Sequence, residues 1–338
     1  MKKHVLLLLL LALLASLSAL ELNLSIDASR WQDRALYPVR TEDVGAPSIP
    51  YYPVKVLLPF GHSVSSVNVV LGETTPLRSG VVLDYIRQPQ PVSLPSPDTT
   101  VRREELYRSS APYPSVNFEY LGTQFYRGAQ LAIINIYPFK YIGSGAQVLV
   151  HENITVQIET APDPALAEQQ SRMLSLQNQE AQLSRIALNP EALASYRGIT
   201  NPGSNVPSSR LIDLSIPYRM IIITDATRID WFTEYAAWRT AKGVSTGIFS
   251  TQDIYNSYGG VDNADKVRNF IIDAYQTWAN GSTNLEYVIM GGDDEIAPER
   301  SAYGRVGSTT DDRMPVDLYY GCLDGTWNAN QNQVWGET

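Results

Sequence analysis

Between Tyr218 and Asp293 the apolar positions switch between strand-like runs and helical spacing. Short β-branched runs bounded by polar residues are typical of strands buried on both faces of a parallel sheet. The two longer segments place apolar side chains on one helical face, and Gly243 follows the first of them, as at many helix ends. The order is β-α-β-α-β, which predicts right-handed crossovers and a doubly wound parallel sheet. The five runs are residues 218–225, 226–242, 244–249, 263–279 and 285–290.

Two acidic residues follow strands of this predicted sheet, Asp225 after the first and Asp293 after the third. Ligands and catalytic groups gather at the carboxyl ends of the strands in such sheets. We expect Asp225 to have a structural role, capping the helix that follows it. We expect the aromatic side chains of that helix to pack in the core and on the sheet, namely Trp231, Phe232, Tyr235 and Trp238.

Residues 19–160 show a different pattern, with short alternating Val and Ile runs separated by Gly and Pro. Several short strands with such turns predict an all-β, sandwich-like domain. His62 and His151 lie far apart in this block, and we interpret both as ordinary surface histidines. The clearest runs are residues 54–58, 64–70, 131–136, 148–150 and 154–158.

Residues 161–210 predict a partly helical linker between two domains. The stretch 165–187 is rich in Gln, Glu, Leu and Ala, which is typical of a weakly amphipathic helix. Asn-Pro and Pro-Gly steps then break the pattern. Arg197 and Arg210 are the basic residues of this linker at which we expect proteolytic nicking to concentrate.

Residues 1–18 predict a secretory signal peptide, because Lys2 and Lys3 precede a short apolar block that ends in small residues. We expect cleavage near the small residues Ser18 or Ala19. The alternative is a membrane anchor, but the block is short for the ~30 Å of a bilayer interior. No later segment is apolar enough to span a membrane, so we expect an exported protein. The net charge of −9 and pI of about 4.9 argue against a nucleic-acid partner, and Cys322 is the single cysteine.

Four segments resemble the start of the gingipain-like (C25) cysteine peptidase domain: residues 218–225, 232–243, 287–293 and 317–328. The all-β block resembles the propeptide of that family, with weaker signatures at residues 45–50 and 58–61. The resemblance implies a cysteine endopeptidase precursor, secreted or on the cell surface of a bacterium. It implies a caspase-like α/β peptidase domain that acts on protein or peptide substrates and has its own prodomain as a partner.

In this family a thiolate nucleophile and a histidine base act through an acyl-enzyme, and both follow strands later than those present here. We therefore expect the α/β domain to be truncated, the chain ending before the catalytic dyad. The resulting assignment is a signal peptide at 1–18, a prodomain at 19–160, a linker at 161–210 and the N-terminal part of the peptidase domain at 211–338.

We interpret Cys322 as a half-buried packing or turn cysteine and not as the nucleophile. A nucleophilic thiol needs a base within hydrogen-bond reach. His62 and His151, the only histidines outside the signal segment, both lie in the β block.

The acidic residues near the ends of the α/β segment suggest a structural calcium site. Gly291-Gly292-Asp293 lacks the Lys-Ser/Thr of a phosphate loop. The resemblance places Asp293 where the family has a carboxylate ligand, and Asp324 and Asn328 near the other ligands; such oxygens suit Ca²⁺. Because asparagines replace part of the family's acidic run, a metal-free hydrogen-bonded turn remains the alternative.

Two other functions remain open at this stage. One is a non-catalytic surface or adhesion protein built from the same modules. The other is a sortase-like C25 peptidase that processes exported proteins of a secretion system. A Gly-His-Gly turn and a strand-terminal cysteine in the gene would exclude the first of these.

Overall fold

The computed structural model describes residues 18–90, 97–175, 180–209, 211–306 and 309–337. The chain divides into two compact units, of which the first comprises the residues up to Ala167 together with Ala181–Arg197. The second comprises Glu168–Glu180 together with Gly198–Thr338. The signal-peptide prediction falls on residues that lie outside the described ranges, except for Ser18. Within those ranges, no helix is both long and apolar enough to cross a bilayer.

In its described part, the first unit forms three antiparallel three-stranded sheets, with strand orders β1-β9-β3, β2-β6-β5 and β4-β8-β7. Its strands are β1 (Ser18–Ser25), β2 (Tyr52–Leu57), β3 (His62–Leu71), β4 (Thr74–Arg78), β5 (Phe118–Tyr126), β6 (Ala129–Ile136), β7 (Phe139–Ile142), β8 (Gln147–His151) and β9 (Asn153–Pro162). Before residue 163, its helical elements are α1 (Glu104–Arg108) and short 3-10 helices at Ala28–Arg30 and Gly143–Gly145.

The predicted strands of this unit are confirmed, and their alternation explains where the core lies. In β9 the side chains of Ile154, Val156 and Ile158 point inward and are buried, while their neighbours are more exposed. β6 lies in the middle of its sheet and is buried along most of its length. One hydrophobic cluster draws side chains from all three sheets. The face-to-face packing of a sandwich stays a prediction.

The predicted linker is divided between the two units. Its single expected helix is interrupted: α2 spans Pro164–Met173, α3 spans Glu180–Ile186, and a 3-10 helix follows at Pro190–Tyr196. Tyr196 donates a hydrogen bond to the carbonyl of Leu58 in the first unit (2.8 Å), and Asn189 pairs with the backbone of Leu57 at 2.8 and 2.9 Å.

The earlier part of that segment contacts the second unit, where the Tyr275 hydroxyl donates to the Met173 carbonyl (2.9 Å). Arg197 is exposed just after the 3-10 helix, and Arg210 lies outside the described residues.

The second unit contains the predicted parallel sheet, with strand order β11-β10-β12. β10 is central, and all five of its residues are buried. Successive crossovers run in opposite directions across the sheet, so right-handed connections place α4 and α6 on opposite faces. The elements are β10 (Met220–Thr224), α4 (Ile229–Ala241), β11 (Thr246–Ser250), α5 (Thr251–Ser257), α6 (Asn263–Trp278), β12 (Tyr287–Met290), β13 (Ser301–Val306), β14 (Thr309–Pro315) and α7 (Leu318–Gly321).

Helix α6 matches its sequence prediction closely. Asp262 is its N-cap and accepts a hydrogen bond from the Asp265 amide at 2.9 Å. The predicted apolar face is buried, and it consists of Val267, Phe270, Ile271, Ala274 and Trp278.

Helix α4 ends as predicted, with Gly243 at φ +86°, but its aromatic residues do not lie where we expected. The prediction that they pack in the core is wrong for Trp231 and Trp238, which are 72% and 52% exposed, and for Tyr235, which is also exposed. These three share one helical face, whereas half-buried Phe232 and buried Ala236 lie on another.

The described region after residue 295 contains two strands and a short helix. β13 and β14 form an antiparallel hairpin with an irregularity between Ala302 and Gly304, and α7 follows it. A Cβ at Gly304 would contact the terminal Cε of Met314, so a larger residue there would require that flexible side chain to move. The Asp and Pro residues of β14 disfavour a strand and its sequence has no apolar alternation, which is why the pattern did not predict it.

Candidate functional site

The carboxyl ends of the parallel strands form a polar edge in the second unit. The buried Thr224 hydroxyl donates to the Gly291 carbonyl at 2.7 Å, which ties the ends of β10 and β12 together. At the end of β11, Ser250 accepts from the Asp253 amide (3.0 Å) and donates to its carboxylate (2.7 Å), capping α5. These hydrogen bonds fix the backbone of the edge.

Asp225 shapes the turn from β10 into α4. Its carboxylate accepts hydrogen bonds from the amide and hydroxyl of Thr227 (2.9 and 2.8 Å) and pairs with Arg228. The Thr227 hydrogen bond is the main cause that lowers the pKa of Asp225. The residue at the N-cap position is Arg228, so the role of Asp225 is structural as predicted, but it acts one turn ahead of the cap.

Gly291 and Gly292 lie where the backbone leaves β12 under close packing. A Cβ on Gly292 would be 2.5 Å from the Cβ of Ile296, and one on Gly291 would be 3.0 Å from Cζ of Phe232. The Asp293 carbonyl then accepts from the amides of Ile296 (3.0 Å) and Ala297 (2.8 Å). The motif therefore forms a tight exit from the strand, and steric crowding explains its glycines.

Arg268 on α6 is 5% exposed and holds the turn that follows α7. Its Nε donates to the Tyr319 carbonyl at 3.0 Å. One terminal nitrogen lies 2.9 Å from the Cys322 carbonyl and 3.2 Å from the carbonyls of Asp324 and Gly325. A buried guanidinium thus satisfies carbonyls of an irregular segment, as buried polar groups require.

A second buried arginine, Arg300, also packs against the ring of Tyr319. It makes two hydrogen bonds to the Asp262 carboxylate at 2.8 and 2.7 Å. Its guanidinium carbon lies 4.6 Å from the ring centroid of Tyr319 and 3.8 Å from that of Trp335. Burial opposes ionisation of Asp262, but the hydrogen bonds and charge of Arg300, together with hydrogen bonds from the backbone of Asp265 and Ala264, outweigh it and lower the pKa of the carboxyl group.

Cys322 is half-buried and its thiol donates to the Asp324 carboxylate at 3.2 Å. Burial, and then the hydrogen bond to that carboxylate, raise the pKa of the Cys322 thiol to about 11. The second unit contains no histidine in its sequence, so no imidazole of this unit can accept the proton. The thiol is held in its neutral, weakly nucleophilic form.

The second unit also carries the similarity to known proteins. Residues 213–335 match the model of peptidase family C25. The C25 resemblance is confirmed over this region. None of the curated proteins is similar enough to match.

Two solved structures from Porphyromonas gingivalis are similar to the chain. A complex of the RgpB pro- and mature domains shares 15% identity over 46% of this chain and 76% of that one, with a TM-score of 0.34. A structure on the zymogenic latency of gingipain K shares 20% identity over 36% of this chain and 68% of that one, with a TM-score of 0.28. Neither superposition is close enough to fix the fold of this chain.

The residues predicted to bind calcium lie in two turns of the C25 region. Asp293 is in the exit from β12, while Asp324 and Asn328 follow α7. The Asp324 carboxylate accepts from Cys322, and the Asn328 amide oxygen accepts from the backbone of Gln333 (3.2 Å). Across the described ranges, no three His, Cys, Asp or Glu side chains come together as a potential metal site. The calcium site stays a prediction.

The two histidines of the β block contribute to strand edges of the first unit. His62 Nδ1 lies 3.1 Å from the Thr160 hydroxyl, and His151 Nδ1 lies 2.8 Å from the Gly72 carbonyl. Sequence reasoning missed Arg268 and Arg300, the two cations that organise the end of the C25 region. The only available signal was an arginine beside Val267 on an apolar helical face.

Proposed function

We propose that this chain belongs to the precursor of a secreted cysteine endopeptidase, in which the first unit is the prodomain and the second is part of the peptidase domain. The supporting observation is that the C25 match, residues 213–335, falls entirely within the second unit. The parallel sheet with a polar edge at its carboxyl ends is the type of scaffold on which such sites are built.

The proposed reaction is hydrolysis of a peptide bond by a thiolate and an imidazole. The thiolate adds to the peptide carbonyl, the imidazolium protonates the departing amine, and water then hydrolyses the thioester. We assign neither role to a residue described here. Cys322 is excluded from the role of nucleophile in this proposal by its raised pKa and its carboxylate neighbour.

The test is to read the gene beyond codon 338 and to assay the protein that it encodes. We expect a histidine after a Gly-rich turn, a later strand-terminal cysteine, and hydrolysis of a fluorogenic peptide that a thiol alkylator blocks. Cys322→Ser should keep this activity. A reading frame without that pair, or a purified protein without hydrolysis, would contradict the proposal and favour a non-catalytic surface or adhesion protein.

A sortase-like peptidase of a secretion system is the alternative within the same family. It would cleave exported proteins at a defined site and leave general peptide substrates largely intact. Comparing hydrolysis of a peptide library with processing of co-expressed exported proteins separates the two functions.

The proposed prodomain role requires a cut at the C-terminal end of the first unit, which lies after residues 168–180 of the second unit in sequence. We propose Arg197 as the activating site, because it is exposed directly after the 3-10 helix that completes the first unit. Brief trypsin treatment should cut there, and the two fragments should elute together on size exclusion. Arg197→Gln should slow this cut, and fragments that separate at once would refute a prodomain that remains bound.

For the predicted calcium site we propose the metal-free alternative. The guanidinium of Arg268 already donates hydrogen bonds to the carbonyl oxygens of Asp324 and Gly325. A calcium ion at this turn would need the same oxygens as ligands. EDTA should therefore leave the unfolding temperature of the second unit unchanged. A fall of several degrees that added Ca²⁺ reverses, and that Asp324→Asn abolishes, would establish calcium instead.

A further inference from the structure

The first unit contains a concavity of about 510 Å³ that the proposed peptidase function does not use. Its walls come from three segments that pair with one another through isolated backbone bridges, Arg40 with Pro50 and Pro47 with Tyr85. The lining residues that matter for its chemistry are Trp31, Arg34, Arg40, Leu83, Asp84 and Arg87. We call this concavity the Arg40 pocket.

Positive charge in the Arg40 pocket exceeds the acidic charge that lines it. Arg87 has partners, because it lies 2.7 Å from the Asp98 carboxylate and 3.7 Å from that of Asp84. Arg34 and Arg40 form no ion pair with any carboxylate in the part of the chain that the structure describes. Two guanidinium groups therefore line the pocket without a counter-ion of their own.

Of these two arginines, Arg40 is the one with a buried hydrogen-bond donor that lacks an acceptor in the described part of the chain. One terminal nitrogen donates to the Ser48 carbonyl at 3.1 Å, but its Nε is buried and has no hydrogen-bond partner among the described residues. Burial, and then the charge of Arg34, lower the pKa of Arg40. A buried donor without an acceptor costs about 1–3 kcal/mol, and two neighbouring cations repel each other. An anion between Arg34 and Arg40 would relieve the repulsion between them.

The shape and the rest of the lining restrict what that anion can be. Buried Trp31 and Leu83 contribute apolar surface beside the arginines. The planar fork of a guanidinium matches a carboxylate and can bind it through two parallel hydrogen bonds. A molecule with a carboxylate at one end and an apolar group at the other would satisfy both parts of the lining.

We propose that the Arg40 pocket binds an organic carboxylate, with the carboxylate between Arg34 and Arg40 and the apolar part against Trp31 and Leu83. Two sources share this chemistry: a free organic acid and the C-terminal carboxylate of a peptide. The site is independent of the peptidase proposal, because it lies entirely within the first unit.

The experiment is a calorimetric titration of the full 338-residue chain with three probes. 3-Phenylpropionate represents the free acid, N-acetyl-Gly-Phe represents a peptide C-terminus, and 3-phenylpropionamide is the uncharged control. We expect at least one acid to bind, the amide not to bind, and binding to weaken as NaCl rises from about 0.05 to 0.5 M. The better acid identifies the source.

Arg34→Gln is the decisive variant, because Arg34 is exposed and makes no ion pair whose loss would unfold the unit. Losing one charge-assisted hydrogen bond should raise the Kd at least about 10-fold. Arg40→Gln should also raise the Kd. Its unfolding temperature must be measured as well, because this variant also loses the hydrogen bond to the Ser48 carbonyl. The matched control is Arg103→Gln, an exposed arginine of the same unit outside the pocket, with unchanged Kd.

Three results would overturn the proposal. They are no binding of either acid at about 10 mM, equal binding of the amide, and an unchanged Kd in Arg34→Gln. Because the titration does not measure peptide hydrolysis, its outcome is separate from that of the peptidase assay.

Discussion

Replacing Arg268 with methionine tests whether a buried cation organises the end of the C25 region. Methionine keeps much of the apolar stem and removes the guanidinium. Four carbonyls, those of Tyr319, Cys322, Asp324 and Gly325, lie within 3.2 Å of its nitrogens. One terminal nitrogen has two protons for three of these carbonyls, so about three hydrogen bonds exist at once.

The expected loss follows from these bonds. A hydrogen bond to a charged group contributes about 1.5–3 kcal/mol, so three of them contribute about 4.5 kcal/mol at the lower limit. The cost of burying the charge, which also lowers the pKa of Arg268, offsets part of this sum. We expect Arg268→Met to lower the free energy of unfolding of the second unit by about 3 kcal/mol, and its midpoint by about 6–12 °C.

Tryptophan fluorescence during urea and thermal unfolding is the appropriate assay, because five of the six tryptophans lie in the second unit. The matched control is Arg313→Met, whose side chain is 88% exposed and 4.0 Å from Asp312; it should change stability by less than about 0.5 kcal/mol. Arg268→Lys retains the charge with fewer well-placed donors and should fall between the two. A loss below about 1 kcal/mol in Arg268→Met would refute the reasoning.

Three further predictions concern titrating groups. The pKa of Asp262 is lowered in the folded state, so its ionised form stabilises the fold above its unfolded pKa of about 3.9, and this stabilisation is lost as the pH falls through the folded value. Asp262→Asn should lose this pH dependence of the free energy of unfolding. Parallel stability curves for the two proteins would contradict the prediction. Burial lowers the pKa of Lys140 to about 8, so the unfolded state binds more protons between pH 8 and about 10.4, and stability should rise there relative to Lys140→Met. An unchanged difference between those two proteins across the window would refute this. Because the pKa of Cys322 is about 11, its alkylation by iodoacetamide at pH 8 should be about 100-fold slower than in urea-unfolded protein. Equal rates would contradict the burial and the hydrogen bond to Asp324 that raise this pKa.

Sequence reasoning predicted those parts of the fold in which the apolar residues can be buried in only one way. β10 is apolar on both faces, so only a central strand buries it, and α6 has a single apolar stripe. α4 has two candidate faces, one with Phe232 and Ala236 and the other with Trp231 and Trp238. Spacing shows which residues share a face, but not which face meets the sheet, and residue size favoured the wrong one.

The buried arginines could not be predicted for a related reason. Patterns of polarity place charged residues at the surface, where most of them lie. Arg268 and Arg300 are buried because their partners are fixed by tertiary structure: carbonyls more than 50 residues away for Arg268, and Asp262, 38 residues away, for Arg300. The hairpin of β13 and β14 lies in sequence between Arg268 and the carbonyls that it binds.

Cys322 shows why the composition of a site does not decide its chemistry. A cysteine near a buried guanidinium usually has a lowered pKa, since the cation stabilises the thiolate. Here the donors of Arg268 point to backbone carbonyls, and the polar group that meets the thiol is the Asp324 carboxylate, which favours the protonated form. If Arg268 donated to the sulfur instead, and the Asp324 carboxylate accepted from backbone amides, the same residues would favour a reactive thiolate. Burial, together with the direction of the hydrogen bonds, therefore keeps this thiol inert despite the cation nearby.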